Sequence, residues 1–234
     1  MTLSGNQPYF LPYLGYWQLI HAADHFLVAD DYAYIKAGWV NRNRILVNGK
    51  PHFFRVEMVE HTPSRLIMDK QVAMKPAWLK DKLRTLEMAY HRTPFFKEGY
   101  ALAERILTCP ERNLSLFLEH SIREVCAYLG ITTPISRSSG LPGNCLLRRE
   151  ERIYDFCRRL GADTYINLPG GQKLYDYREF ARHGIRLRFI QPQLKPYRQF
   201  GDSFVERLSI LDAIMLNSPD ARHAMLDDFA WIDG

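Results

Sequence analysis

A strand, a turn, a helix and a second strand follow one another in the first thirty residues, and that succession restricts the fold more than any other feature of the chain. A short segment enters Gln7-Pro8 and turns through Pro12 and Gly15. An apolar-striped helix then carries Trp17, Leu19, Ile20 and Ala23, and the run His25-Phe-Leu-Val-Ala29 follows it. That run is short, apolar and closed by Asp30-Asp31, which predicts a buried strand with carboxylates at its C-terminal end. Two strands joined through a helix favour a parallel sheet, and ligands of parallel sheets gather at the carboxyl ends of the strands.

Beyond the polar stretch that ends at Arg44, Asn48-Gly49 stands between the β-rich runs Ile45-Leu-Val and His52-Phe-Phe-Arg-Val56. Asn-Gly between such runs predicts a hairpin. Pro76 opens an amphipathic helix with Leu79, Leu83 and Leu86 on one stripe, and Pro94 separates it from a second helix reaching about Leu107. A third helix runs from Asn113 to a stop at Gly130, so the middle of the chain, about 76–130, is a helical subregion. Alternation then resumes. Ile135-Ser136 is extended, a helix spans about Leu147 to Leu160, Thr164 to Ile166 is a strand, and a Gly-rich loop follows. A helix around Tyr177 to Arg182, a strand Ile185 to Ile190 and a final helix with Ile210, Leu211, Ile214 and Met215 complete the reading. The expected class is α/β: a Rossmann-like parallel or mixed sheet with a mostly helical middle insertion and a β-hairpin, forming one domain over 1–234.

A formal net charge of +5 over 234 residues includes no block of like charge resembling a nucleic-acid tail, so nucleic acid is not the expected partner and anionic small molecules are. No window approaches the roughly 20 apolar residues that cross a bilayer, so no membrane insertion is expected and the chain reads as cytoplasmic. Cys109, Cys126, Cys145 and Cys157 have no metal-ligand spacing. Neither a metal nor another cofactor is expected. Cys126 and Cys157 fall on amphipathic helices as packing residues, leaving Cys145 as the cysteine to test as a nucleophile. His21 and His25 bracket the end of the first helix, a position that favours protonation, without a Ser or Cys partner evident for a triad.

The densest chemistry lies between Asp30 and Arg44, where two carboxylates, one lysine, two arginines, two amides and three aromatics share fifteen residues. Arg42 and Arg44 can fork onto phosphate or carboxylate oxygens, Asn41 and Asn43 can bond sugar hydroxyls, and Trp39 can stack on a ring. A structural hydrogen-bonded corner is the alternative. The opening Gln7-Pro-Tyr9-Phe-x-Pro12-Tyr13-x-Gly15-Tyr16 sets an aromatic turn before a helix N-terminus. Its cadence resembles the H-x-G-H loop of nucleotidylyltransferases with both histidines replaced, by Tyr13 and Tyr16. Neutral phenols cannot become cationic near neutral pH, which keeps the nucleotide-binding shape and counts against nucleotidyl transfer; a packing turn is equally compatible. Gly170-Gly171, upstream of Tyr175, allows close backbone approach to a ligand or simply makes a tight turn. Ser136-Arg-Ser138-Ser139-Gly140 is either a phosphate cap or a polar loop.

These residues together resemble a known family. Gln7-Pro-Tyr-Phe with Pro12 and Gly15-Tyr16, Asp30-Asp31, Gly38-Trp39-x-Asn41-Arg42-Asn43-Arg44, Gly161-Ala-Asp-x-Tyr165, Tyr197-x-Gln199 and Leu208-Ser209-Ile-x-Asp212 are similar to the WbqC-like family, associated with O-antigen and other surface-polysaccharide clusters. The resemblance implies acyl or aminoacyl transfer, glycyl for example, onto an amine of a nucleotide-linked amino sugar. In that scheme Asp30 or Asp31 accepts the amine proton, Asn41 and Asn43 orient the donor carbonyl, and Arg42 with Lys36 holds diphosphate. Gln7, Tyr9, Tyr16, Trp39, Arg44, Tyr175 and Tyr197 would complete the substrate site. The acyl donor would be a thioester, with an acyl carrier protein as a possible partner. A non-catalytic nucleotide-sugar or carrier-binding protein and a nucleotide-dependent ligase or nucleotidyltransferase-like enzyme are the alternatives.

Overall fold

The computed structural model describes residues 1–59, 64–201 and 203–233. The opening unit forms as expected, with β1 (Thr2–Asn6), α1 (Leu14–His21) and β2 (His25–Val28). The hairpin follows as β3 (Arg42–Val47) and β4 (Lys50–Arg55), paired antiparallel and detached from the main sheet. Asn48 and Gly49 both take positive φ, +50° and +72°, the left-handed pair that a two-residue hairpin turn requires.

Three helices make the middle insertion: α2 (Pro76–Tyr90), α3 (Phe96–Leu107) and α4 (Leu114–Leu129). Pro76 sits in the first turn of α2, where its missing N–H has no partner to lose. Asn113 caps α4 by accepting from the Leu116 N–H, and Gly130 ends it in the left-handed conformation. The chain then returns through β5 (Ile135–Arg137), α5 (Glu150–Leu160), β6 (Thr164–Asn167), α6 (Tyr177–Arg182) and β7 (Arg186–Pro192). It ends in α7 (Ile210–Leu216), α8 (Pro219–Asp227) and β8 (Phe229–Asp233).

The six-stranded sheet has the order β5-β2-β1-β6-β7-β8, parallel except for β8, which runs antiparallel to β7. β1 lies inside the sheet. From it the chain winds outward through β2 to β5, then crosses back to lay β6 and β7 on the other side. The order therefore reverses at the β1–β6 junction, the place where an open α/β sheet leaves a crevice outside its strand ends. Side chains alternate between two covered faces. Phe26, Val28, Ile166 and Ile190 face a core shared with α1, α4 and the hairpin; Leu27, Tyr165, Leu187 and Phe189 face α5 and α6.

Two sequence-based expectations need correction. α5 starts at Glu150 and not near Leu147, because Arg149 takes φ +47° and interrupts a continuous helix. The helix at Ile210–Leu216 is not the last element. Ser218 caps a further helix by accepting from the Ala221 N–H, and β8 completes the sheet edge.

Candidate functional site

A cleft of about 640 Å³ opens over the carboxyl ends of the parallel strands, at the β1–β6 junction. Its walls come from the C-terminal ends of β1 (Asn6), β6 (Asn167) and β7 (Gln191 and Pro192), together with Ala29 just beyond β2. The Gly170-Gly171 loop and Leu174 close one side, and Ile153 and Phe156 of α5 close another. Gly171 is held by packing: a Cβ there would stand 3.1 Å from the Tyr175 ring and 3.2 Å from the Asn167 amide nitrogen. Tyr9, Tyr13, Tyr32 and Tyr175 are among the residues that line the cavity. Burial raises all four phenols above their ordinary value, so they act as neutral hydrogen-bonding groups.

The charge in this cleft is one-sided. Among the described residues lining it, no aspartate, glutamate, histidine, lysine or cysteine contributes, and Arg207 is the one charged side chain. Arg207 has φ +56°, a left-handed backbone that is uncommon for a long side chain and costs of order 1–3 kcal/mol unless its surroundings impose it. Those surroundings are firm. Ser209 donates its N–H to the Arg44 carbonyl (2.8 Å), and Ile210 donates to the Pro12 carbonyl (3.0 Å).

A smaller recess of about 250 Å³ shares Tyr9, Tyr13 and Arg207 with the cleft and adds Pro12, Trp39, Asn43 and Arg44. Here the first turn and the segment beyond β2 meet. Phe10 donates its N–H to the Trp39 carbonyl (3.3 Å), and the Asn43 amide donates to the carbonyls of Phe10 (3.3 Å) and Leu11 (2.8 Å). Leu11 takes φ +44°, so Asn43 holds a strained turn that presents Tyr9 and Tyr13. The Arg44 guanidinium lies 5.7 Å from the Trp39 ring, and its Nε is buried without a hydrogen-bond partner.

Gln7, Tyr9 and Tyr175 are thus at the cleft, Trp39, Asn43 and Arg44 at the recess, and Tyr9 at both. Tyr16 is fully buried behind them, its hydroxyl donating to the Gln7 carbonyl (3.1 Å). Tyr197 stands apart from the cleft and donates to Asp212 (2.7 Å). The structure does not bring Asp30 and Asp31 to the cavity. Asp30 is fully buried and accepts from the hydroxyls of Ser115 (2.8 Å), Ser138 (3.3 Å) and Ser139 (2.9 Å) and from the Ser139 N–H (3.1 Å). Asp31 accepts from the Ser138 hydroxyl (2.5 Å) and forms a buried ion pair with Arg152 (2.6 Å). With their oxygens committed, neither is placed to take a proton from an incoming amine. The serine loop is used in the same network, so its hydroxyls are not displayed for phosphate. Arg152 also lies 4.1 Å from the centre of the Tyr32 ring, which turns the network into a support for a cleft residue.

Arg42 and Lys36, expected to hold diphosphate, do not line the cleft or the recess. Arg42 donates to the carbonyls of Gly38 (3.0 Å) and Ala37 and lies over Phe53, while Lys36 is exposed away from both cavities. Asn41 accepts from the Tyr34 hydroxyl (2.9 Å) and donates to the Val56 carbonyl (3.0 Å), which leaves it a brace for the loop. The Asn43 amide is spent on the first turn in the same way. Cys145 is exposed in a short turn outside both cavities. Cys126 and Cys157 are buried, and burial pushes their thiols up to about 12. His25 departs from the expected ease of protonation, because burial lowers its value while it bonds Ser136 (2.7 Å).

Asn6, Tyr32, Asn167 and Gln191 were not among the sequence candidates. The strand-end rule would have found Asn167 and Gln191, each closing an apolar run. Arg207 had no such signal, since it lies in an irregular segment.

A model of the WbqC-like protein family matches residues 7–224. The chain belongs to the WbqC-like protein family. A relative of this WbqC-like chain, the uncharacterized protein Rv1507c of Mycobacterium tuberculosis (strain ATCC 25618 / H37Rv), is 29% identical over 210 residues, spanning 89% of this chain and 90% of that protein. No solved structure gives a significant match. Among the described residues no helix is long and apolar enough to cross a membrane, and no group of three His, Cys, Asp or Glu is placed to hold a metal ion.

Proposed function

We propose that this WbqC-like chain binds a nucleotide-linked amino sugar and transfers an acyl or aminoacyl group to its amine, in surface-polysaccharide or specialised-metabolite assembly. The observation that carries this reading is the cleft at the β1–β6 junction, lined by amides and neutral phenols with Arg207 as its one charged side chain. Amides and phenols match sugar hydroxyls, which both donate and accept, and an arginine without a carboxylate partner matches an anionic substituent.

The chemistry needs little from the protein beyond position. A neutral amine nitrogen attacks the carbonyl of a thioester donor, the C–N bond forms, the C–S bond breaks, and the amine proton ends on the released thiolate. Phenols beside the cleft can donate to the oxygen that gains negative charge, the role Tyr9 or Tyr32 would play. No enzyme nucleophile enters, in keeping with the position of Cys145. Asp31 and Arg152 act through Tyr32 as positioning residues.

The absence of a carboxylate, histidine or cysteine from the described cleft lining favours a second reading, a binding protein that presents an amino sugar without turnover. One experiment separates them. The protein is incubated with UDP- and dTDP-linked amino sugars and acyl-CoA, aminoacyl-CoA or acyl carrier protein thioesters, and products are read by mass spectrometry. Transfer adds the mass of the acyl group and weakens at least tenfold in Asn167→Ala. Sugar-nucleotide binding with no product from any donor class would leave the binding reading in place.

A further inference from the structure

The recess beside the cleft has a composition that the cleft does not. Arg44 and Arg207 both line it, and neither forms an ion pair with a carboxylate among the described residues. Two unneutralised guanidinium groups on one small concavity repel each other unless an anion lies between them. The Nε of Arg44 is a buried donor with no acceptor, a costly arrangement that calls for a partner. Trp39 stands at the same recess and is 40% exposed, so its ring is available there for stacking. The space, about 250 Å³, equals about eight liquid waters at roughly 30 Å³ each. That is enough for a diphosphate and too little for a whole sugar nucleotide.

We infer that the recess is the diphosphate subsite of a nucleoside diphosphate: Arg44 and Arg207 hold the diphosphate from two sides, and the nucleoside leaves the recess over the exposed side of Trp39, where the base stacks. The sugar then passes Tyr9 and Tyr13, which line both cavities, into the larger cleft. Arg44 supplies a fork held in position by the antiparallel hairpin, and Arg207 supplies its charge from a backbone held in a left-handed conformation. The two halves of the ligand are therefore read by different chemistry: charge and stacking in the recess, hydrogen bonds in the cleft. This rests on the proposed sugar-nucleotide reading but assigns a position that the reading leaves open.

The test uses the full chain with UDP, inorganic pyrophosphate and uridine as probes, followed by calorimetry and tryptophan fluorescence. UDP is expected to bind, uridine to bind at least tenfold more weakly, and Arg44→Gln and Arg207→Gln each to weaken UDP and pyrophosphate at least tenfold. Trp39→Phe should weaken UDP while leaving pyrophosphate within about twofold, and should remove the fluorescence change. Arg44→Lys, which keeps the charge without the fork, guards against a folding defect and should fall between the parent and Arg44→Gln. Asn167→Ala should leave UDP unchanged while weakening a UDP-sugar, which locates the sugar in the cleft. UDP binding that both arginine variants retain, or no binding of either UDP or pyrophosphate to the parent, overturns the subsite. UDP binding with these losses but no acyl transfer would sink only the catalytic proposal. Transfer to amino sugars lacking a nucleotide, with UDP inert, would sink only the subsite.

Discussion

Arg152 shows how a side chain far along the sequence can fix a residue near its start. Its guanidinium pairs with Asp31 and lies over Tyr32, and the Asn144 side chain accepts from it (2.8 Å). Removing one partner of a buried pair strands the other charge, so Arg152→Met is expected to lower unfolding free energy by roughly 3–5 kcal/mol in urea titrations. Replacing Asp31 and Arg152 together should cost less than the sum of the single changes. Asp212 offers a different test. It is fully buried, burial raises its pKa above the ordinary 3.8, and donation from Tyr197, Tyr90 and Gln199 opposes the rise without cancelling it. A carboxyl that holds its proton more tightly when folded contributes stability that is fully present below the unfolded value and lost as pH rises through the folded one. Melting temperature measured from pH 3 to 7 should contain such a falling component in the parent and lack it in Asp212→Asn. The charged residues between Asp30 and Arg44 were legible as a dense group but not as to destination. Spacing does not tell whether a guanidinium will find a nearby carbonyl, as Arg42 does, or face a cavity, as Arg44 does.

At the level of elements, punctuation was the readable part. Asn48-Gly49, Pro76, Asn113 and Gly130 each mark a local backbone requirement, and each stands at the turn, helix start, cap or stop it implied. What escaped was set by pairing between distant segments. β8 is short and partly exposed, and becomes a strand because β7 offers an edge. The hairpin tip illustrates the same dependence on remote structure. A Cβ on Gly49 would meet the Phe200 carbonyl oxygen at 3.3 Å, in the irregular segment that leads to Arg207. Gly49→Ala should therefore destabilise by about 1–2 kcal/mol from its positive φ alone. A shift in denaturation midpoint with an unchanged slope would be the sign of it. Cys145→Ala changes neither element nor cavity, and any transfer activity should survive it unaltered.

Across the whole molecule, the sheet class and the end at which the cleft opens followed from the first thirty residues, because a strand-helix-strand crossover leaves few alternatives. The cleft's chemistry did not, since it is assembled from strand ends scattered over the chain. With no ordinary acid or base lining the described cleft, the amine substrate itself should govern the pH dependence of transfer. kcat/KM is expected to rise with pH through the pKa of the acceptor amine and then level off. The midpoint should move when an acceptor of different basicity is used; a fixed midpoint would point to a protein group instead. The position of β1 bears also on how the chain comes to be made. Thr2 pairs with Thr164, and the amino group of Met1 meets Asp163 across 162 positions. At typical synthesis rates of about 5–20 residues per second, that interior strand waits roughly 10–30 s for its second neighbour to leave the ribosome. Its open edge is the one most in need of chaperone cover during that interval.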